Sequence, residues 1–266
     1  MMQQAVDFRD ECDALYNVLE PLNAADFERK TLFKDWTIDD VLGHLHMWNH
    51  AARLSLQDPA AFSALLRQVS SSFGKDQSHL TFMWTWLENI RGRELLAAWR
   101  DYYPEMAAQF GAADPRARVK WAGPDMSVRS SVTARHMETW AHGQEIYDLL
   151  GQACPNMDRI KNIAVIGVKT FDWTFVNRGW DVPEAPPYVR LTAPSGTIWK
   201  WNEPSETNRI EGTAVDFCKV VTQVRNFADT KLRATGDAAT TWMSVAQCFA
   251  GGAEDPPAPG ARRVAA

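Results

Sequence analysis

Helical periodicity runs through about the first 150 residues and sets narrow limits on what this part of the chain can fold into. Apolar residues recur there at intervals of three and four, and stretches that alternate between apolar and polar residues are few. Helices are predicted over 4–21, from Thr37 as N-cap onward, over about 79–110 with a bend at Gly92 or Pro104, and over about 130–150. Long helices joined by polar connections are typical of an up-and-down bundle.

The sequence changes character after Gly151. One more helix is predicted over 158–178, and a stiff, proline-rich stretch follows it. Two segments that alternate between apolar and polar residues then flank a Pro-Ser-Gly turn and predict a β-hairpin over 188–201. Helical patterns return over 213–228 and 237–250. The C-terminal third is therefore predicted to contain both helices and strands.

These patterns predict an α+β chain with two domains. An up-and-down helical bundle is expected over 1–178 and a small α+β domain over 188–250, with the proline-rich stretch 179–187 as the linker between them. The C-terminal tail, 251–266, is rich in glycine and proline and is predicted to be disordered.

Charge and hydropathy exclude several classes of protein. The net charge is −5, the pI is about 5.7 and no basic cluster is present, so binding to nucleic acid or to an anionic membrane is not expected. No apolar run reaches the ~20 residues that span a bilayer, and the N-terminus lacks the pattern of a secretory signal. We therefore expect a cytoplasmic protein whose cysteines are reduced and widely spaced, at Cys12, Cys154, Cys218 and Cys248.

Histidines are concentrated in two of the predicted helices. Three of the six lie within 44–50 and two lie within 136–142. At 3.6 residues per turn, the stripe of the later helix that borders the expected bundle interior carries four polar residues, namely Arg135, Glu138, His142 and Glu145. A glutamate and a histidine one turn apart on such a face form either a buried polar network or half of a metal site. A facing helix rich in histidine favours the metal site.

Periodicity does not identify the histidine that completes this site. His44 lies at one edge of the apolar stripe of the second helix, and His46 and His50 lie at the other edge. His46 and His50 are also four residues apart, so together they form a rival two-histidine site. The two remaining histidines, His79 and His136, are predicted to be surface residues.

Two motifs of the helical part resemble a known family. The first is Asp35-Trp-Thr-Ile-Asp-Asp-Val-Leu-Gly-His44-Leu, and the second, about 90 residues later, is Glu138-Thr-Trp-Ala-His142. Together they resemble the DinB-like metal-binding bundle and, more closely, its mycothiol-dependent maleylpyruvate isomerase branch. The resemblance implies that His44, Glu138 and His142 bind a divalent metal, usually zinc, with nickel or iron as alternatives.

The C-terminal part strengthens this resemblance. Residues 191–201 and 210–225 resemble the small α+β domain that is appended in the same branch, so the match covers about residues 5–250. The family uses an arginine of this domain near the active site, and Arg225 is the matching position. The family commonly has Gly-Arg where this chain has Val-Arg, and the alternative for Arg225 is an ion pair with a surface carboxylate such as Asp229.

The implied metal site suits catalysis. Three nitrogen and oxygen ligands leave a fourth position on zinc open, which is typical of catalytic rather than structural sites. Glu145, on the same stripe as the proposed ligands, could orient a ligand imidazole, or it could be a solvated or capping carboxylate.

The resemblance also implies a reaction. A thiol that is bound to such a metal is deprotonated at neutral pH. No cysteine lies near the motifs, so the thiol would come from a low-molecular-weight cosubstrate similar to mycothiol. In the family, the thiolate adds to an activated double bond, the resulting single bond rotates, and expulsion of the thiol leaves the trans isomer. We expect an isomerase, or an S-transferase if the adduct is kept, that acts on a small unsaturated acid.

Two other functions stay open. With a metal but no thiol, the same residues would make a hydrolase that uses a metal-bound water. With no metal, the chain would be a non-catalytic binding protein whose groove is lined by some of its 12 tryptophans. A small molecule is the expected partner in each case, and the sequence does not specify the thiol, the acid or the oligomeric state.

Overall fold

The computed structural model describes residues 1–73 and 79–264. The chain forms two compact units, Met1–Leu149 and Leu150–Ala266. The described part of the first unit is helical apart from a short β-ribbon, and the second unit combines helices with a four-stranded sheet. The predicted α+β class with a helical N-terminal part is therefore confirmed. Within the described residues, no helix is both long and apolar enough to cross a bilayer.

Six α-helices build the described part of the first unit. They are α1 (Gln3–Leu19), α2 (Ile38–Gln57), α3 (Pro59–Phe73), α4 (His79–Trp86), α5 (Gly92–Ala112) and α6 (Val128–Leu149). A two-stranded antiparallel ribbon, β1 (Arg118–Val119) and β2 (Met126–Ser127), precedes α6. Helix α1 packs against α5 and α6, and α2 packs against α3, α5 and α6. This packing places one face of α2 against α6.

A capping box fixes the start of α2. The Thr37 hydroxyl accepts the backbone N–H of Asp40 (3.1 Å), and the Asp40 carboxylate accepts the backbone N–H of Thr37 (2.9 Å). The prediction that Thr37 is the N-cap is therefore confirmed. The neighbouring carboxylate of Asp39 is buried and accepts the backbone N–H of Gly92 (2.7 Å), which ties the start of α2 to the start of α5.

The predicted helix over 79–110 is two helices in the structure. Helix α4 ends at Trp86 and α5 begins at Gly92. Between them Glu88 (φ 52°) and Asn89 (φ 62°) adopt left-handed backbone conformations, which a continuous right-handed helix does not allow. The chain therefore turns between α4 and α5, and α4 packs separately against α2 and α3.

Helix α6 is buried on nearly all sides. Of its 22 residues, 16 are buried, including several polar ones. His136 is one of these, with 0% exposure and its Nε2 atom 3.5 Å from the Glu11 carboxylate, so the prediction that it is a surface residue was wrong. A polar group in such a position needs a partner within the protein. Most polar residues of α6 are therefore part of the interior, whereas Arg129 and Ser130 in its first turn are exposed.

The second unit is built around a mixed sheet. Its elements are α7 (Lys161–Lys169), α8 (Phe171–Val176), β3 (Tyr188–Thr192), β4 (Ile198–Trp201), β5 (Arg209–Thr213), α9 (Ala214–Val221), β6 (Arg233–Thr235) and α10 (Asp237–Val245). The strand order is β4-β3-β5-β6, with β3 parallel to β5 and the other pairs antiparallel. The predicted hairpin corresponds to β3 and β4 and is confirmed. Strands β5 and β6 were not predicted.

The boundary between the units differs from the predicted one. We expected the bundle to extend to residue 178, whereas the units divide after Leu149. Helices α7 and α8 fall in the second unit because α7 packs against α9 and α8 packs against α10. The proline-rich stretch 179–187 accordingly lies within the second unit.

The C-terminal segment also differs from its prediction. Residues 251–266 were expected to be disordered, but the structure describes them as far as residue 264, with 265–266 outside the described part. The backbone N–H of Gly260 donates to both carboxylate oxygens of Asp229 (2.9 and 3.0 Å), and the amide of Asn226 donates to the carbonyl of Pro257 (2.8 Å). These bonds hold the segment against its own unit.

A close backbone approach makes Gly236 sensitive to substitution. Gly236 has φ +88°, and a Cβ atom at this position would lie 2.2 Å from the carbonyl oxygen of Thr207. Gly236→Ala is expected to lower the free energy of unfolding by more than about 2 kcal/mol, since it combines a strained φ with a backbone clash. Urea denaturation followed by circular dichroism measures the change. Gly252→Ala is the control, because nothing lies within 4 Å of its Cβ position. Equal midpoints for the two variants would contradict this packing.

Candidate metal centre

Three side chains meet where α2 packs against α6. His44 extends from α2, and Glu138 and His142 extend from α6. The Oε2 atom of Glu138 lies 3.2 Å from Nε2 of His44 and 3.6 Å from Nε2 of His142. Among the described residues, these three form the group of histidine, cysteine and acidic side chains whose ligand atoms all lie within 4.8 Å of one another.

The donor set fits a divalent metal. Ligands of a tetrahedral zinc with bonds of ~2.0–2.1 Å are about 3.3 Å apart. The two distances from Glu138 are close to this value, and two imidazole nitrogens with a carboxylate oxygen are ligands that zinc, nickel and iron accept. Glu138 keeps 22% of its side chain exposed, so the cluster is reachable from solvent.

The outward nitrogen of each histidine also has a partner. Nδ1 of His142 lies 3.1 Å from the buried carboxylate of Glu145, and Nδ1 of His44 lies 3.2 Å from Nε2 of His79. Histidines that bind metals normally use their other ring nitrogen for such a hydrogen bond, which fixes the ring and its tautomer. The structure therefore places Glu145 against the imidazole and not in solvent. His79 was predicted to be a surface residue, but it is half-buried and contacts His44.

Aromatic rings enclose the cluster. The Trp36 indole stacks on the His142 ring (centroids 5.8 Å apart, planes 8° apart), and Phe33 contacts the same ring edge-on (5.2 Å). Trp36 lies one residue before the Thr37 cap, so the start of α2 brings this ring to the site. Apolar rings reduce the access of water, which strengthens electrostatic interactions within the cluster.

The charges of the cluster favour a cation. Burial alone would raise the pKa of Glu138, but hydrogen bonds to His142 and His44 hold this pKa well below its usual range. Burial lowers the pKa of His44 to about 3. Burial also acts to lower the pKa of His142, but the charge of Glu145 and the interactions with Glu138 raise it to about 9. At neutral pH the two carboxylates thus stabilise a positive charge at this point, where a metal ion could replace the proton.

The rival histidines lie elsewhere on α2. The rings of His46 and His50 pack against Trp86 and Tyr102, and Nδ1 of His50 lies 3.1 Å from the Tyr102 hydroxyl. Neither belongs to the cluster that the described residues form. The packing of α2 thus turns His44, rather than these two histidines, toward α6.

Arg225 lies in the second unit, shortly after α9. Its side chain is buried, and Nη1 donates to the carbonyl of Val224 (3.0 Å). Another arginine, Arg135, lies one turn before Glu138 on α6, where it is buried and donates from Nε to Asn49 (3.0 Å). The Arg135 charge also favours the ionised form of Glu138.

Comparison with known proteins identifies relatives over most of the chain. Residues 8–147 match the model of the mycothiol maleylpyruvate isomerase N-terminal domain. Uncharacterized proteins of two Mycobacterium tuberculosis strains are each 34% identical over 248 residues, which is 92% of this chain and 94% of theirs. Crystal structures of the mycothiol-dependent maleylpyruvate isomerase and of a histidine-to-alanine mutant of it share the fold at 12% identity, with TM-scores of 0.52 and 0.53. Each of the two structural matches covers 82% of this chain and 87% of the isomerase chain.

The family match spans more than half of the chain and includes all three residues of the cluster. The two crystal structures support the fold alone, because their identity to this chain is low. The resemblance seen in the motifs around His44 and Glu138 is thereby confirmed, and the chain belongs to the mycothiol maleylpyruvate isomerase family, with the DinB-like fold of that family.

Proposed function

We propose that this protein is a metal-dependent enzyme that uses a low-molecular-weight thiol to isomerise a small unsaturated acid. If the thiol adduct is kept, the same site makes it an S-transferase. The observation that carries the proposal is the cluster of His44, Glu138 and His142 in a chain of this family. The proposed metal is zinc, with nickel or iron as alternatives. The proposed thiol is mycothiol or a similar compound.

Residues in and around the cluster have defined tasks in this proposal. When bound, the metal would supply the positive charge that keeps a thiol deprotonated at neutral pH. Glu138 contributes the anionic ligand between the two imidazoles. Glu145 holds His142 so that its Nε2 atom faces Glu138, and Trp36 covers the His142 ring. These contacts keep the ligands oriented before a substrate arrives.

The state of the protein's own cysteines supports a thiol cosubstrate. Cys12, Cys218 and Cys248 are buried. Burial raises the pKa of Cys12 and of Cys218 well above the usual range, so both are protonated at neutral pH and are poor nucleophiles. Neither of these two thiols is a good nucleophile at neutral pH, which favours a sulfur that a small molecule brings.

For Arg225 we propose the role that the family resemblance implies, which is contact with the carboxylate of the acid or with the enolate that forms on thiol addition. A guanidinium can hold a carboxylate through two parallel hydrogen bonds. It can also stabilise negative charge that develops during a reaction.

Thiol dependence of turnover tests the proposal. Protein loaded with zinc is incubated with a cis-unsaturated keto acid such as maleylpyruvate, with and without mycothiol, glutathione or cysteine, and the products are separated by liquid chromatography. We expect turnover that needs both metal and thiol. An isomerase leaves the thiol concentration unchanged, whereas an S-transferase consumes one thiol per product.

Other outcomes would support the alternative functions. Turnover that needs the metal but no thiol would favour a hydrolase. Stoichiometric binding of the acid without turnover or metal would favour a binding protein.

A further inference from the structure

His79 lies directly behind one of the proposed metal ligands. It is the first residue of α4, and its Nε2 atom is 3.2 Å from Nδ1 of His44. The other nitrogen of His44, Nε2, is 3.2 Å from the Glu138 carboxylate. The two ring nitrogens of His44 thus contact two different groups, with Glu138 at one and His79 at the other.

Two tryptophans fix the plane of the His79 ring. The indole of Trp36 lies at 15° to this ring with centroids 6.2 Å apart, and the indole of Trp48 lies at 16° with centroids 6.0 Å apart. The His44 ring meets His79 edge-on, at 69° and 5.4 Å. Near-parallel packing against two large rings restricts rotation of the imidazole. His79 therefore presents Nε2 to His44 in one defined direction.

When Nε2 of His44 binds a metal, this arrangement supplies an acceptor for the proton on the other ring nitrogen. A neutral imidazole has one N–H donor and one acceptor nitrogen. If Nε2 of His44 is to bind a metal, the proton must be on Nδ1, and that N–H needs an acceptor. Nε2 of His79 is within hydrogen-bond distance of Nδ1 and can accept this proton in the Nδ1–H tautomer of His79. The corresponding partner of His142 is a carboxylate, that of Glu145.

His79 is not itself placed as a ligand. Among the described residues, the cluster whose ligand atoms lie within 4.8 Å of one another contains His44, Glu138 and His142 but not His79. Because His79 contacts the nitrogen of His44 that faces away from Glu138, its effect on a metal ion has to pass through His44.

We propose that His79 is a positioning residue that accepts the Nδ1–H of His44 and so holds His44 in the tautomer and ring orientation that can bind a metal through Nε2. The inference rests on the proposed metal site. It adds that the two ligand histidines are oriented by different chemistries, a carboxylate for His142 and a neutral imidazole for His44.

Zinc affinity of the purified full-length protein tests this proposal. The dissociation constant is measured by competition with a chromophoric chelator for the wild type, for His79→Phe and for His79→Gln. Phenylalanine keeps an aromatic ring against Trp36 and Trp48 but cannot accept a hydrogen bond. We expect it to weaken zinc binding by about 10- to 100-fold at an unchanged stoichiometry, which is the usual cost of losing such a partner.

Glutamine restores an acceptor, so His79→Gln is expected to recover most of the affinity. His50→Phe is the matched control, because His50 lies outside the cluster and contacts Tyr102. Circular dichroism spectra establish that each variant is folded. If His79→Phe unfolds, the comparison of His79→Gln with His79→Ala gives the same test.

The outcomes separate this inference from the function on which it rests. If His79→Phe and His79→Ala both bind zinc as tightly as the wild type, the positioning role is overturned and the metal site is left intact. A wild type that binds no zinc would overturn the proposed function and this inference together.

Discussion

Glutamine in place of Glu138 is expected to abolish stoichiometric zinc binding while the fold is kept. Glu138 lies between both imidazoles, at 3.2 Å from His44 and 3.6 Å from His142. The substitution keeps the size of the side chain but removes its negative charge and replaces one carboxylate oxygen with an NH2 group. We expect the affinity to fall by more than about 100-fold, because losing a ligand costs more than the ~10–100-fold effect of losing an outer hydrogen bond.

Inductively coupled plasma mass spectrometry of dialysed protein measures the metal content of the wild type and the variant. Glu105→Gln provides the matched control, since Glu105 is an exposed residue of α5 that pairs with Arg53. A thermal melt in added zinc gives a second readout. An ion at 100 times its dissociation constant stabilises the folded state by about 2.7 kcal/mol, and this gain should be missing in Glu138→Gln.

A histidine substitution extends the test to function. His142→Ala should lose bound metal and thiol-dependent turnover together, whereas His50→Ala, on the other side of α2, should keep both. If the wild type holds no zinc even when zinc is supplied, or if Glu138→Gln binds it as well as the wild type, the histidines are structural. The binding-protein alternative would then be preferred.

The elements that sequence analysis predicted correctly are those with local signals. The Thr37 cap and the hairpin of β3 and β4 are encoded within a few adjacent residues. Helix α3 was missed although its start carries such a signal. Asp58 precedes Pro59, and the Asp58 carboxylate accepts the backbone N–H of Ala61 (2.9 Å). The separation of α4 from α5 was predicted only as a bend at Gly92 or Pro104. In the structure the chain turns over Glu88, Asn89 and Gly92, which all have positive φ. Pro104 lies inside α5.

The site was predictable only in part, for a physical reason. Spacing along α6 places Glu138 and His142 on one face, and this needs no tertiary information. Which face of α2 meets α6 depends on packing, so the choice of His44 over His46 came from the family resemblance. No local pattern in the sequence predicts the contact of His79 with His44, because the two residues are 35 positions apart. The packing of α4 against α2 brings them together.

The many tryptophans of this chain have more than one role, and Trp99 is expected to show the structural one. Trp99 lies on α5 with 0% exposure and packs against Tyr103 (centroids 4.7 Å apart), whose hydroxyl donates to Asp13 (2.6 Å). Trp99→Ala removes a whole indole from the core and should lower the free energy of unfolding by about 3–5 kcal/mol. Urea denaturation followed by far-ultraviolet circular dichroism measures this change.

Two further variants define the cause of that loss. Trp99→Phe should cost less than half as much, because it keeps a ring in place and removes an N–H that has no hydrogen-bond partner among the described residues. Trp173→Ala, at a position with 37% exposure, should cost less than about 1 kcal/mol. A loss below about 1 kcal/mol for Trp99→Ala would show that α5 is not packed as described.

Because Trp99 is not part of the cluster, folded Trp99→Ala should still bind one zinc, whereas Glu138→Gln should stay folded without bound zinc. Stability and metal binding would then depend on different residues of the same helical unit.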